Sequence, residues 1–186
     1  INLSKGDKVI IYSKDTRAII AFYDILMGKS QSDSGKFDWG VTTNQAYLPV
    51  DHENYFKEEI SLVDWLRRYA KTEEEREEVF LRGFLGKMLF SGEEALKKSN
   101  VLSGGEKVRC MLSKMMMERA NVILLNEPTN HLDLESITAF NNSLKNFKGT
   151  ILCSTSDHAF SETLGSRIVE LTPNGAIDRH TSFDEY

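Results

Sequence analysis

Four consecutive apolar residues, Val122-Ile123-Leu124-Leu125, lead directly into Asn126-Glu127-Pro128-Thr129-Asn130-His131-Leu132-Asp133. A strand has two faces, and a run with no polar position offers neither of them to water. Strands of this kind sit inside parallel sheets covered by helices, which confines the chain to the α/β architectures. Thr150-Ile151-Leu152-Cys153 has the same character, and Val9-Ile10-Ile11-Tyr12, after the turn Gly6-Asp7-Lys8, makes a third such run. Residues 45–48, ended by Pro49, and residues 36–39, after the turn Asp33-Ser34-Gly35, are expected as further strands. Residues 18–27 read as a largely apolar helix stopped by Gly28.

From residue 61 to residue 99 the periodicity is helical, with Leu62, Trp65, Leu66 and Tyr69 at helix spacing. The charge run Glu73-Glu74-Glu75-Arg76-Glu77-Glu78 predicts a solvated helix face. This divides the chain into a core of residues 1–55 and 101–186 and a helical lobe of residues 56–100. A net charge of -5 argues against indiscriminate nucleic-acid binding by the whole surface. Cys110 and Cys153 lie in apolar contexts without metal-like spacing and are expected as buried free thiols. No apolar run reaches the roughly 20 residues of a membrane span, and no secretory signal opens the chain. The chain is expected in the cytoplasm, and its start at Ile1 without Met reads as that of a fragment.

Ser103-Gly104-Gly105-Glu106 follows Leu102 about twenty residues before the first apolar run. Ser103 with Glu106 three positions on is a capping box, which opens a helix. Capping leaves the two glycines unexplained; they permit close backbone approach at a helix N-terminus, a ready anion site. Together, the Ser103 segment and residues 122–133 resemble the signature motif, Walker B strand and D-loop of an ATP-binding cassette. The resemblance implies an α/β fold, an ABC-type P-loop NTPase core with a mainly parallel sheet plus a helical subdomain, whose first strands lie upstream of Ile1. It also implies ATP and Mg2+ as cofactors. In that family two cassettes meet head to tail, so Ser103, Gly104, Gly105 and Glu106 would face the γ-phosphate of ATP held by a partner cassette. Asp133 and His131 would belong to the D-loop at that interface. Lys107 and Arg109 would add positive charge, although surface solubility is the plainer role.

The positions that would hold this domain's own nucleotide depart from the pattern. A P-loop reads Gly-x-x-x-x-Gly-Lys-Ser/Thr between a strand and a helix. Aligned without a gap, those places hold Ser13, Lys14, Asp15, Thr16, Arg17, Ala18, Ile19 and Ile20. Ile19 in place of lysine brings no ammonium to the phosphates, and Ile20 brings no oxygen to magnesium. Lys14 or Arg17 would restore charge only in part. Asn126 stands where the family has its magnesium-linked aspartate, and a neutral amide does not supply that charge. Glu127 keeps the water-polarising place as a vestige. Ser156 takes the place of the switch histidine, with His158 two residues late. No glutamine stands near Pro49-Val50. Four departures together imply a degenerate site where ATP and Mg2+ bind weakly or not at all.

Asn130-His131-Leu132-Asp133 after Glu-Pro-Thr resembles the soluble ABC-F proteins more than membrane transporters, and nearly the whole chain is similar to a C-terminal cassette of that family. The implied partners are a second cassette, in the same chain or a dimer, and the ribosome or RNA through the full-length protein, with no membrane. The expected function is a degenerate second cassette whose signature completes a composite ATP site. Two alternatives stay open: an active ATPase with a differently aligned P-loop, and a pseudo-ATPase interaction module that needs no nucleotide. Gly105→Asp is expected to abolish ATP turnover while leaving the fold intact.

Overall fold

The computed structural model describes residues 1–130, 132–165 and 167–180. Its elements in chain order are β1 (Lys8–Tyr12), α1 (Thr16–Leu26), β2 (Gln45–Leu48), α2 (Leu62–Arg67), α3 (Glu78–Lys87) and α4 (Gly104–Met117). They continue with β3 (Val122–Asn126), α5 (Leu134–Lys145), β4 (Thr150–Ser154), α6 (His158–Leu164), β5 (Arg167–Thr172) and β6 (Gly175–Arg179). The described residues of 1–50, 120–128 and 148–180 form one compact unit, and those of 51–119 and 129–147 form a second.

The first unit is a six-stranded sheet in the order β2-β3-β4-β1-β5-β6. Five strands are parallel and β6 closes the edge antiparallel to β5. The three apolar runs lie side by side: Val9 opposes Leu152, and Leu124 opposes Leu152 from the other side. Every residue of β3 and β4 is buried, as strands without a polar face require. On one face Val9, Ile11, Val122, Leu124, Leu152 and Val169 pack on Ile19 and Tyr23 of α1. Gly28, at φ 76°, ends that helix by entering the left-handed region. Arg167 ties the sheet edge down with a forked pair to Asp178, at 2.9 and 2.6 Å, and a contact of 3.2 Å to Asp7. Cys110 and Cys153 are buried free thiols.

Residues 36–39 do not form a strand. Their alternation is real, but among the described residues no strand runs beside them to supply a ladder of hydrogen bonds. Trp39 instead donates its indole N–H to the Leu26 carbonyl at 3.1 Å.

The second unit is helical and takes in α4 and α5 as well as residues 56–100. Leu62, Trp65, Leu66, Leu81, Leu85 and Phe90 are fully buried in it. Trp65 stacks on Phe56 at 5.1 Å and donates to the Tyr55 carbonyl at 2.7 Å. The charge run is not wholly solvated, because Glu75 is buried. Its carboxylate accepts the Lys71 amide at 2.8 Å and the Arg119 guanidinium at 2.9 Å, with the backbone bond the main cause of a lowered carboxyl pKa. No helix among the described residues is long and apolar enough to cross a membrane.

Candidate functional site

Parallel strands bring their C-terminal ends to one edge of the sheet, where ligands of open α/β folds bind. That edge of the first unit gathers residues 13–15 after β1, Asn126 and Glu127 at the end of β3, and residues 155–156 after β4. Register sets the neighbours: Asn126 pairs with Ser154, and Cys153 with Ile10.

The strand-to-helix connection after β1 is three residues long, Ser13-Lys14-Asp15, because α1 already begins at Thr16. Thr16, Arg17 and Ala18 are therefore helical. Asp15 caps the helix: one carboxylate oxygen accepts the Arg17 amide at 3.0 Å, and both oxygens pair with its guanidinium at 3.1 Å. The Arg17 hydrogen bonds hold the Asp15 carboxyl below its usual range. Arg17 is thus matched by its own neighbour, and the helix N-terminus is served by a carboxylate of the chain. Ile19 is buried against the sheet, while Ile20 is 44% exposed.

Asn126 is 6% exposed, and its Oδ1 accepts the Ser154 hydroxyl at 3.0 Å. Burial raises the Tyr47 phenol, while the neighbouring Asn126 side chain pulls the other way. Tyr23 is fully buried, donates to the Leu125 carbonyl at 3.3 Å and is pushed well up by burial. Glu127 has φ 48°, and its amide donates to the Ser154 carbonyl at 2.8 Å. Its Oε2 accepts the Ser156 amide at 3.2 Å and the Ser156 hydroxyl at 3.3 Å. His158 is exposed and opens α6 behind the cap Asp157. Sequence reasoning missed Ser154, Tyr47 and Tyr23; a polar residue closing the apolar run 150–153 was the available signal for the first.

In the second unit, Ser103 and Glu106 form the expected capping box, with the Glu106 amide on Ser103 Oγ at 3.2 Å and the Ser103 amide on Glu106 Oε1 at 3.1 Å. Burial pushes the Glu106 carboxyl up, but the bonds from Lys97, at 2.6 Å, and Ser103 outweigh it and leave the carboxyl lowered. The two glycines differ. A Cβ on Gly104 would meet nothing within 4 Å, whereas one on Gly105 would lie 2.5 Å from Ser136 Oγ and 2.8 Å from Ser136 Cβ. Gly105 is therefore a packing residue between α4 and α5, and Gly105→Asp would not leave the fold intact, contrary to the expectation from sequence. Asp133 caps α5, accepting the Ser136 amide at 2.8 Å, and that bond holds its carboxyl low. Lys107 pairs with Glu53 at 2.7 Å. Arg109 is not a solubility residue: it donates to the Met88 carbonyl at 3.0 Å and lies 4.7 Å over the Phe90 ring. His131 lies outside the described residues.

Comparison with known proteins bears on the same segments. The family model described as ABC transporter matches residues 22–130. The ABC transporter ATP-binding protein YkpA of Bacillus subtilis is 54% identical over 99% of this chain and 34% of its own length. The energy-dependent translational throttle protein EttA of Escherichia coli K12 is 27% identical over 100% of this chain and 34% of its own. The chain thus spans about a third of the length of these curated relatives. A dimeric ATP-binding cassette solved in a post-hydrolysis state with ADP and Pi shares the fold, with a TM-score of 0.71 at 17% identity over 97% of this chain and 88% of that one.

Proposed function

The chain belongs to the ABC transporter family, and from that premise we propose that it is the second, C-terminal cassette of an ABC-F-type protein, with a degenerate nucleotide site of its own. Its signature segment, Ser103 to Glu106, completes a composite ATP site with a partner cassette. The observation that carries this reading is the three-residue connection after β1. A P-loop wraps a phosphate with successive backbone N–H groups and a lysine. Here the corresponding residues are wound into α1, Ile19 is packed in the core, and the helix N-terminus holds the Asp15 carboxylate. Asn126 spends its acceptor on Ser154. These residues do not fit ATP and Mg2+.

Three further facts support the proposal. The family match begins at residue 22, beyond the positions aligned to the P-loop. On the partner side, Ser103 and Gly104 are exposed at the start of a 14-residue helix, and Gly104 faces open space. The similarity to a translational throttle protein supports a role at the ribosome, in the cytoplasm, for the whole polypeptide.

Titration of the 186-residue chain with fluorescent ATP and Mg2+ tests the own-site claim. Each lost charge-assisted phosphate contact removes about 1.5–3 kcal/mol, so binding should be weaker than about 1 μM by orders of magnitude. Micromolar affinity would overturn the reading in favour of an active ATPase. Gly104→Asp in the intact protein tests the signature claim. ATP turnover should be lost with the fold retained, and unchanged turnover would favour an interaction module that needs no nucleotide.

A further inference from the structure

We propose that Asn126, Glu127, Ser154 and Ser156 form a nucleotide-independent clasp that fixes the loop after β4 to the end of β3, with Glu127 as its positioning residue. The inference rests on the degenerate-site reading and adds what the remaining site residues do. The end of β3 and the loop after β4 face each other.

Four hydrogen bonds make the clasp. The Glu127 amide reaches the Ser154 carbonyl at 2.8 Å, and the Ser154 hydroxyl reaches Asn126 Oδ1 at 3.0 Å. Glu127 Oε2 takes both the amide and the hydroxyl of Ser156, at 3.2 and 3.3 Å. Ser154 and Asn126 are 1% and 6% exposed, so their mutual bond is not readily exchanged for water. An amide and a hydroxyl satisfy one another without a metal, whereas a buried carboxylate at position 126 would need a cation. Glu127 adopts a left-handed φ of 48°, a conformation that a non-glycine residue keeps only where its surroundings hold it. That turn brings the carboxylate back to Ser156.

The clasp reaches further through a short relay. Thr155 Oγ1 accepts the Asp157 amide at 3.0 Å, and Asp157 Oδ1 accepts the Phe160 amide at 3.0 Å, so the loop held by Glu127 leads directly into the cap of α6. Glu127 thereby sets the entry of a helix.

Hydrogen–deuterium exchange on the intact protein, with and without Mg-ATP, tests the clasp. Exchange of the backbone across residues 155–157 should be the same in both conditions. Glu127→Ala should accelerate it about tenfold, the expected effect of losing a charge-assisted bond. Glu127→Gln should fall between the parent and Glu127→Ala, at about threefold, because its amide oxygen accepts the same bond without the charge. If Glu127→Ala unfolds, Ser156→Ala is read instead, with about threefold acceleration expected from loss of the hydroxyl bond alone. Parental exchange in the alanine variants, or rapid exchange in Glu127→Gln, overturns the clasp. So does a change at residues 155–157 on adding Mg-ATP. ATP binding measured in the same samples without such a change would sink the degenerate-site reading and leave the clasp standing.

Discussion

Gly105→Ala is the substitution whose outcome is most tightly set by geometry. Carbon atoms meet comfortably at about 3.5–4.0 Å. The new methyl would stand 2.8 Å from Ser136 Cβ and 2.5 Å from Ser136 Oγ. The hydroxyl can rotate away, but the Cβ is carried by the backbone of α5, so the overlap is relieved only if one helix moves. Overpacking of this size costs about 1–3 kcal/mol. Alanine returns up to about 1 kcal/mol over glycine within a helix, and less in its first turn. The balance is a loss of about 1–2 kcal/mol, or a Tm lower by about 2–8 °C for a chain of this length. Gly104→Ala is the internal control. With nothing within 4 Å of its Cβ, it should be neutral or stabilising by about 0.4–1 kcal/mol. Thermal and urea denaturation of both single variants, and of Gly105→Ala with Ser136→Gly, decide the matter. The double variant should recover the stability of its Ser136→Gly parent. Equal stability of the two alanine variants, or no recovery in the double variant, would refute the packing argument.

Other consequences are as direct. Ser103→Ala removes the N-cap of α4 and should cost about 1 kcal/mol by urea denaturation; no loss would mean that the box seen at 3.2 and 3.1 Å contributes nothing. Glu106 has a depressed folded pKa, so its stabilisation is present above the unfolded value and disappears as pH falls through the folded one. Denaturation between about pH 5 and pH 3 should therefore show a shallower loss of stability for Glu106→Gln than for the parent, and equal slopes would count against the Lys97 and Ser103 contacts. Arg167→Lys keeps the charge but cannot reproduce the forked pair with Asp178. It should cost about 1–3 kcal/mol, and a stability equal to the parent's would show that charge alone suffices. Burial pushes both cysteine thiols upward, so neither should react with iodoacetamide until the chain unfolds; rapid labelling of the native protein would contradict that.

The sheet was legible because β3, β4 and β1 are apolar on both faces, and runs of that kind have few other uses. The capping box at Ser103 was legible for a local reason, since its two partners lie three residues apart. The reading failed where a long-range contact decides. Residues 36–39 carry a strand pattern, yet a strand also needs a neighbour to bond with. Gly105 and Gly104 are adjacent and identical in sequence, and only the approach of Ser136 separates their roles. Glu75 sits in a charge run that looks solvated, and its burial depends on the Lys71 amide and on Arg119, 44 residues away. Asp15 shows a different failure. An aspartate before a helix is an ordinary start signal, and in residues 13–20 it coincides with the place of a P-loop residue. In the sequence Asn126 registers only as a missing charge. Its bond to Ser154 appears only once the β3–β4 register is known.

The short connection after β1 also bears on the chain's evolutionary options. On the degenerate-site reading proposed above, α1 has grown back over its own anchoring loop and closed a door behind it. Recovering a phosphate cradle would mean unwinding residues 16–18, displacing the Asp15 cap and withdrawing Ile19 from the core, all at once. None of these steps is useful alone, and each lowers stability before any ligand can compensate. Sequences carrying this arrangement should drift freely at the exposed positions 14 and 20 while keeping Asp15 and an apolar residue at 19. On that reading, change at this edge of the sheet runs in one direction, toward a better-packed domain.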